Sequence, residues 1–220
     1  MSSVVFLFLG FVLVLMSYVA VIVGVSLLRN ALSRGVTGEF RDVIDRALGG
    51  DASADSMLGR LGLGSELYKR LLDFVCSDVN CCAELSSLAE LRRVVPGQML
   101  VELFHTSTRA NWLCTMLIAN CLSHGHVLDG VTLQGSDQVS LFDSNDVEGG
   151  LASFVSVVGR RLFEAASRGL DTYVIVTGGT KIEVILASMI AWLLNAKPVY
   201  KVEGGPLIIL PQLPITIPPR

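Results

Sequence analysis

The chain has 220 residues, of which 51% are hydrophobic and only 17% charged, with a formal net charge of −3. That length supports one domain with a sizeable core. The slight acidity provides no overall basic field, which excludes duplex nucleic acid as a partner and makes any anion site local. Five cysteines (Cys76, Cys81, Cys82, Cys114 and Cys121) include no Cys-x-x-Cys pair and are odd in number, against a disulfide framework or a zinc ribbon. Adjacent Cys81 and Cys82 read as small buried hydrophobes, and His105, His124 and His126 are not spaced as metal ligands.

No charge precedes Arg29. By length alone, residues 1–28 are a membrane-span candidate, without the positive n-region of a signal peptide. Residues 18–23 (Tyr-Val-Ala-Val-Ile-Val) read as a buried strand, so residues 1–15 alone are too short to span. They form a hydrophobic leader: either an extension ahead of a start at Met16 or a short hydrophobic helix. Residues 27–47 read as a helix, interrupted at Arg34-Gly35, and residues 49–56 as a polar loop. Short amphipathic helices follow over 57–93, so a small helical insertion occupies about residues 50–95. Residues 99–104 are a second strand, ending at Thr106-Ser107-Thr108, and residues 109–122 a helix. A third strand is predicted over 126–133, a polar loop over 134–145, and a helix over 146–168 opened by Asp146.

Residues 173–181, Tyr-Val-Ile-Val-Thr-Gly-Gly-Thr-Lys, organise the rest. Tyr173 to Thr177 are β-branched or aromatic without a break, as in a strand buried on both faces. Gly178 and Gly179 stop it and permit close backbone approach. Thr180 is placed to cap an apolar helix over 182–195, with Lys181 in its first turn. A cation there conflicts with the helix dipole, and an anionic ligand would offset the conflict. The spacing is neither a P-loop nor the dinucleotide fingerprint. Residues 198–202 and 207–210 form a hairpin around Glu203-Gly204-Gly205, and a proline-rich tail follows.

The alternation gives an α/β fold: a Rossmann-like, open, mostly parallel sheet with flanking helices and an antiparallel C-terminal edge hairpin. In such sheets ligands gather outside the carboxyl ends of the strands. Three strand ends carry suitable residues: Gly24-Val25-Ser26, Thr106-Ser107-Thr108 and Thr177-Gly178-Gly179-Thr180-Lys181, with Arg29 nearby. Ser26 is either a helix cap or a ligand-facing hydroxyl. With no carboxylate cluster among these residues, neither a metal nor a cofactor is expected.

Several of these segments also resemble one known family. Val23-Gly-Val-Ser-Leu-Leu-Arg-Asn30, Cys82-Ala-Glu-Leu-Ser-Ser-Leu88, Thr177-Gly-Gly-Thr-Lys181, Lys197-Pro-Val-Tyr-Lys-Val-Glu-Gly204 and Leu210-Pro-Gln-Leu-Pro-Ile215 resemble segments of CRISPR-associated Rossmann-fold (CARF) proteins. The match is closest to the short, stand-alone ring nucleases. On that resemblance a CARF domain spans 16–215, with residues 216–220 a tail. It implies a cytoplasmic homodimer that binds cyclic tetra-adenylate across its two-fold axis and opens it without a metal. The products would be linear di-adenylates ending in a 2′,3′-cyclic phosphate, which silences type III antiviral signalling. Lys181 and Ser26 would be catalytic. Gly24, Val25, Arg29, Asn30, Thr106, Ser107, Thr108, Thr177, Gly178, Gly179 and Thr180 would bind the ligand. The chain departs from the family pattern at Val25, usually threonine, at Glu183, often apolar, and at Ser107, often aspartate. The alternative is a CARF sensor that holds the ring uncut, membrane-associated if residues 1–28 are an anchor.

Overall fold

The computed structural model describes residues 15–124, 127–139 and 147–213. The expectations for residues 1–14, His126, residues 140–146 and residues 214–220 fall outside them. Strand β1 (Met16–Ile22) is followed by helices α1 (Ser26–Ser33), α2 (Arg41–Leu48), α3 (Ala52–Arg60), α4 (Glu66–Ser77) and α5 (Ala83–Val94). Then come β2 (Gln98–His105), α6 (Arg109–His124), β3 (Val131–Gln138) and α7 (Val147–Ser167). Strand β4 (Asp171–Ile175), α8 (Lys181–Leu193), β5 (Lys197–Lys201) and β6 (Leu207–Ile209) close the order.

The strands form one sheet in the order β3-β2-β1-β4-β5-β6, parallel throughout except for the β5–β6 hairpin. Strand order runs outward in both directions from the β1/β4 pair, which is therefore the topological switch point. β1 is buried on both faces, and its period of two sorts the core. Val19, Val21 and Val23 face the layer of α1, α4, α5 and α6, against Leu27, Leu85 and Leu117. Tyr18, Ala20 and Ile22 face α7 and α8, against Phe154, Val158 and Ala187.

Predicted boundaries are corrected at three places. β4 runs Asp171–Ile175 rather than 173–177, so Val176 and Thr177 lie beyond the strand. Residues 49–56 are not all loop, because the Asp51 carboxylate accepts from the Ser53 and Ala54 N–H groups at 2.9 and 3.1 Å and starts α3 at Ala52. The third strand lies at Val131–Gln138 rather than 126–133, so residues 134–138 are strand and not loop. Its alternate residues Thr132, Gln134, Ser136 and Gln138 are exposed because β3 is a sheet edge. Polar alternation marks such a strand, where a continuous apolar run marks a central one. Among the described residues no helix is long and apolar enough to cross a membrane.

Candidate ligand-binding site

At the switch point the ends of β1 and β4 touch. A Cβ built on Gly24 would lie 2.5 Å from Gly179 N, and one on Gly178 would lie 2.2 Å from Glu84 Oε1 and 2.8 Å from Ile22 O. Only glycine permits that approach. The carboxylate in this contact belongs to Glu84, on the first turn of α5 and buried at 1% exposure. It accepts from the Gly24 N–H at 2.7 Å and from the Ser26 hydroxyl at 2.8 Å. The Ala83 N–H in turn donates to Ser26 Oγ at 3.0 Å. Ser26 therefore makes no cap of α1, whose start has no side-chain cap; its hydroxyl ties the start of α1 to the start of α5.

A second set of contacts joins α5 to β4 and β5. The Ser87 and Thr177 hydroxyls hydrogen-bond at 2.8 Å, and Thr177 Oγ1 accepts from the Lys201 N–H at 3.0 Å. The Lys201 ammonium donates to the Ser86 hydroxyl and pairs with Glu90, whose other oxygen accepts from the Leu207 N–H at 3.1 Å. That hydrogen bond from Lys201 holds the Glu90 carboxyl below the usual carboxylate range. The β5–β6 turn is thereby clasped onto α5.

Over these contacts opens a cavity of about 400 Å³, within the range of about 300–1,000 Å³ common for small-molecule sites. Of the residues predicted from the sequence it brings together Ser26, Arg29, Asn30 and Thr177. It adds Asn80, Cys82, Ser86, Tyr200, Lys201 and Glu203, which strand-end reasoning did not reach. Arg29 is exposed at its wall and makes no ion pair among the described residues. Burial pushes the Cys82 thiol well up, so it lines the cavity as a neutral group.

The other predicted residues lie elsewhere. Gly24 and Gly178 are buried in the strand ends, while Gly179, Thr180 and Lys181 are exposed and do not line the cavity. Gly179 has φ +90, a conformation that favours glycine. Thr180 caps α8 reciprocally with Glu183: the Thr180 hydroxyl accepts from the Glu183 N–H, and the Glu183 carboxylate accepts from the Thr180 N–H. Glu183 is 2% exposed, and desolvation pushes its carboxyl above the ordinary value, so it turns inward rather than toward a ligand. At the end of β2, Asp55 accepts from the Arg109 and Ala110 N–H groups, both at 2.8 Å, and Thr108 caps the same helix through the Asn111 N–H. Thr108 and Val25 line a separate cavity of about 360 Å³, Thr106 is half-buried and Ser107 exposed. Among the described residues no group of three or more His, Cys, Asp or Glu side chains could hold a metal ion.

The missed residues are distant in sequence: Glu84 and Ser86 lie in the stretch read as a helical insertion. The available signal was a carboxylate at the second position of an otherwise apolar helix start, Cys82-Ala-Glu-Leu.

The fold and the cavity define an α/β protein with a ligand site at the switch point of a mostly parallel sheet. Residues 79–213, more than half of the chain, match the model of the family described as CRISPR-associated protein (Cas_APE2256). The chain belongs to that CRISPR-associated family. The match covers α5 through β6, including Glu84, Thr177, Lys181 and Lys201, and does not extend to β1 or Ser26. No curated protein matches the chain.

Proposed function

We propose that the protein is a CRISPR ring nuclease that binds one cyclic tetra-adenylate across a homodimer and opens it, without a metal, to linear di-adenylates ending in a 2′,3′-cyclic phosphate. The observation that carries this reading is the switch-point cavity, with hydroxyl, amide, cationic and aromatic groups on its walls, in a chain of a CRISPR-associated family. Single-stranded nucleotides are held by such a mixture: cations for phosphates, amides for base edges, an aromatic ring for stacking. Ser26, Arg29 and Asn30 approach the ring from β1–α1, and Tyr200 and Lys201 from β5.

The homodimer is supported by α8. Lys181, Ile185, Met189 and Leu193 recur every fourth residue and are all exposed, the last three at 57, 51 and 56%. They form one ridge, apolar along its length with a cation at its start. Two ridges packed about a two-fold axis would cover the apolar residues and bring both copies of Lys181 to a shared ligand. In the reaction a ribose 2′-hydroxyl displaces the 5′-oxygen at the adjacent phosphorus, Lys181 stabilises the developing charge and Ser26 holds the nucleophile.

One observation favours a second reading, a sensor that keeps the ring intact. The strand-end N–H groups of Gly24 and Thr180 are already taken by Glu84 and Glu183 and offer the phosphate nothing. Incubation with labelled cyclic tetra-adenylate in EDTA separates the two. Linear di-adenylate from the wild type, reduced on the order of 10²-fold or more in Lys181→Ala, supports the nuclease. An intact ring recovered bound makes the protein a sensor.

A further inference from the structure

Buried Glu84 meets Ser26, the residue proposed to hold the nucleophile, and the proposed reaction gives this carboxylate no chemical part. It spends one oxygen on the Gly24 N–H and the other on the Ser26 hydroxyl, at 2.7 and 2.8 Å. The hydroxyl proton of Ser26 is therefore committed to Glu84, and one lone pair of Oγ is committed to the Ala83 N–H at 3.0 Å. A hydroxyl has one proton and two lone pairs. What remains of Ser26 is a single lone pair, and Ser26 lines the cavity. Toward a ligand Ser26 can only accept.

We infer that Glu84 is a positioning residue that makes Ser26 an obligatory hydrogen-bond acceptor for a ribose 2′-hydroxyl. This rests on the function proposed above. During ring opening the bond from the 2′-oxygen to phosphorus forms and the bond from phosphorus to the 5′-oxygen breaks. The 2′ proton passes to Ser26 Oγ as the Ser26 proton passes to Glu84, and the leaving 5′-oxygen takes a proton from solvent. Glu84 then releases its proton through Ser26 to solvent, which replaces the proton given to the 5′-oxygen. A serine free to rotate could instead donate to a phosphate oxygen and would not distinguish ribose from deoxyribose. The buried carboxylate fixes the direction of the bond, and with it the sugar that is recognised.

Glu84→Gln tests this with little change of shape. A glutamine side chain has one acceptor and one donor end, so it cannot accept from both Gly24 and Ser26, and the Ser26 hydroxyl is turned to accept from Gln and donate into the cavity. Binding of cyclic tetra-adenylate and of its all-2′-deoxy analogue would be measured by calorimetry for wild type, Glu84→Gln and Ser26→Ala, alongside single-turnover cleavage. The expected result is a wild-type preference for the ribose ring of about tenfold, the worth of one hydrogen bond, abolished in both variants. Cleavage by Glu84→Gln falls about 10²-fold while its affinity for the deoxy ring stays within about threefold of wild type. A preference retained in Glu84→Gln overturns the inference, whatever the wild-type cleavage rate. A wild type that shows the preference without cutting sustains the inference and overturns the nuclease reading. A wild type that binds neither ring overturns both.

Discussion

Gly178→Ala is a demanding test of the switch-point geometry, because the cost follows from atoms already in place. The new methyl carbon would sit 2.2 Å from Glu84 Oε1, 3.0 Å from Glu84 Cδ and 2.8 Å from the Ile22 carbonyl oxygen. The carbonyl is part of β1 and cannot move without the sheet. The carboxylate can move only by releasing the Gly24 N–H or the Ser26 hydroxyl. Overpacking of this kind typically costs about 1–3 kcal/mol, and a lost hydrogen bond to a buried charged group about 1.5–3 kcal/mol. Together they predict a loss of about 3–5 kcal/mol, which in a chain of this size lowers Tm by on the order of 10 °C. Thermal unfolding followed by circular dichroism at one protein concentration would measure it, with Gly135→Ala as control. A methyl group added to Gly135, on β3, would meet no atom within 4 Å, so that variant should change little. A Gly178→Ala protein melting within about 1 °C of wild type would refute the close approach of β1, β4 and Glu84.

Three further expectations follow from the same geometry. Glu183→Gln keeps the reciprocal cap, since glutamine serves in that motif, and removes a carboxyl whose native value desolvation raises above 4.5. A raised native value means the native state binds the extra proton, so wild-type stability falls as pH rises past 4.5 toward the raised value. The Tm of Glu183→Gln relative to wild type should therefore climb with pH over that window, and a difference flat in pH would contradict it. Arg29→Ala removes an exposed cation at the cavity wall. It should weaken binding of cyclic tetra-adenylate about tenfold, about 1.4 kcal/mol, without moving Tm; unchanged affinity by calorimetry would remove Arg29 from the site. Met189→Asp places a charge on the exposed α8 ridge. Light scattering should report a dimer for the wild type and a monomer for the variant, and a variant dimer of unchanged mass would move the interface elsewhere.

Much of the fold was legible because its strongest signals are local. The β-branched and aromatic run of residues 173–177, the two glycines and Thr180 mark β4, its turn and the start of α8. Thr180 caps α8 as the residues indicate, while β4 itself runs Asp171–Ile175, two residues ahead of the run. β1 and β2 are interior strands of the sheet, and the largely apolar runs 18–23 and 99–104 marked both as strands. β3 was displaced by five residues at its start because an edge strand carries polar residues at every other position. The site was half legible. Ser26, Arg29, Asn30 and Thr177 belong to strand ends, which topology places together. Glu84, Ser86 and Lys201 enter from a helix and a hairpin whose docking depends on long-range contacts that no local pattern encodes. The N–H groups of Gly24 and Thr180 also proved to be partnered internally, so donors that look free in a sequence are engaged in the folded chain.

The functional reading depends above all on one cyclic tetra-adenylate being shared by two copies of this site. Native mass spectrometry of Lys181→Ala, in which the ring should survive, decides the point. The expected species is two chains carrying one intact ring, with no increase in mass when the ring is supplied in excess. One ring per chain, or two chains that bind none, would contradict it.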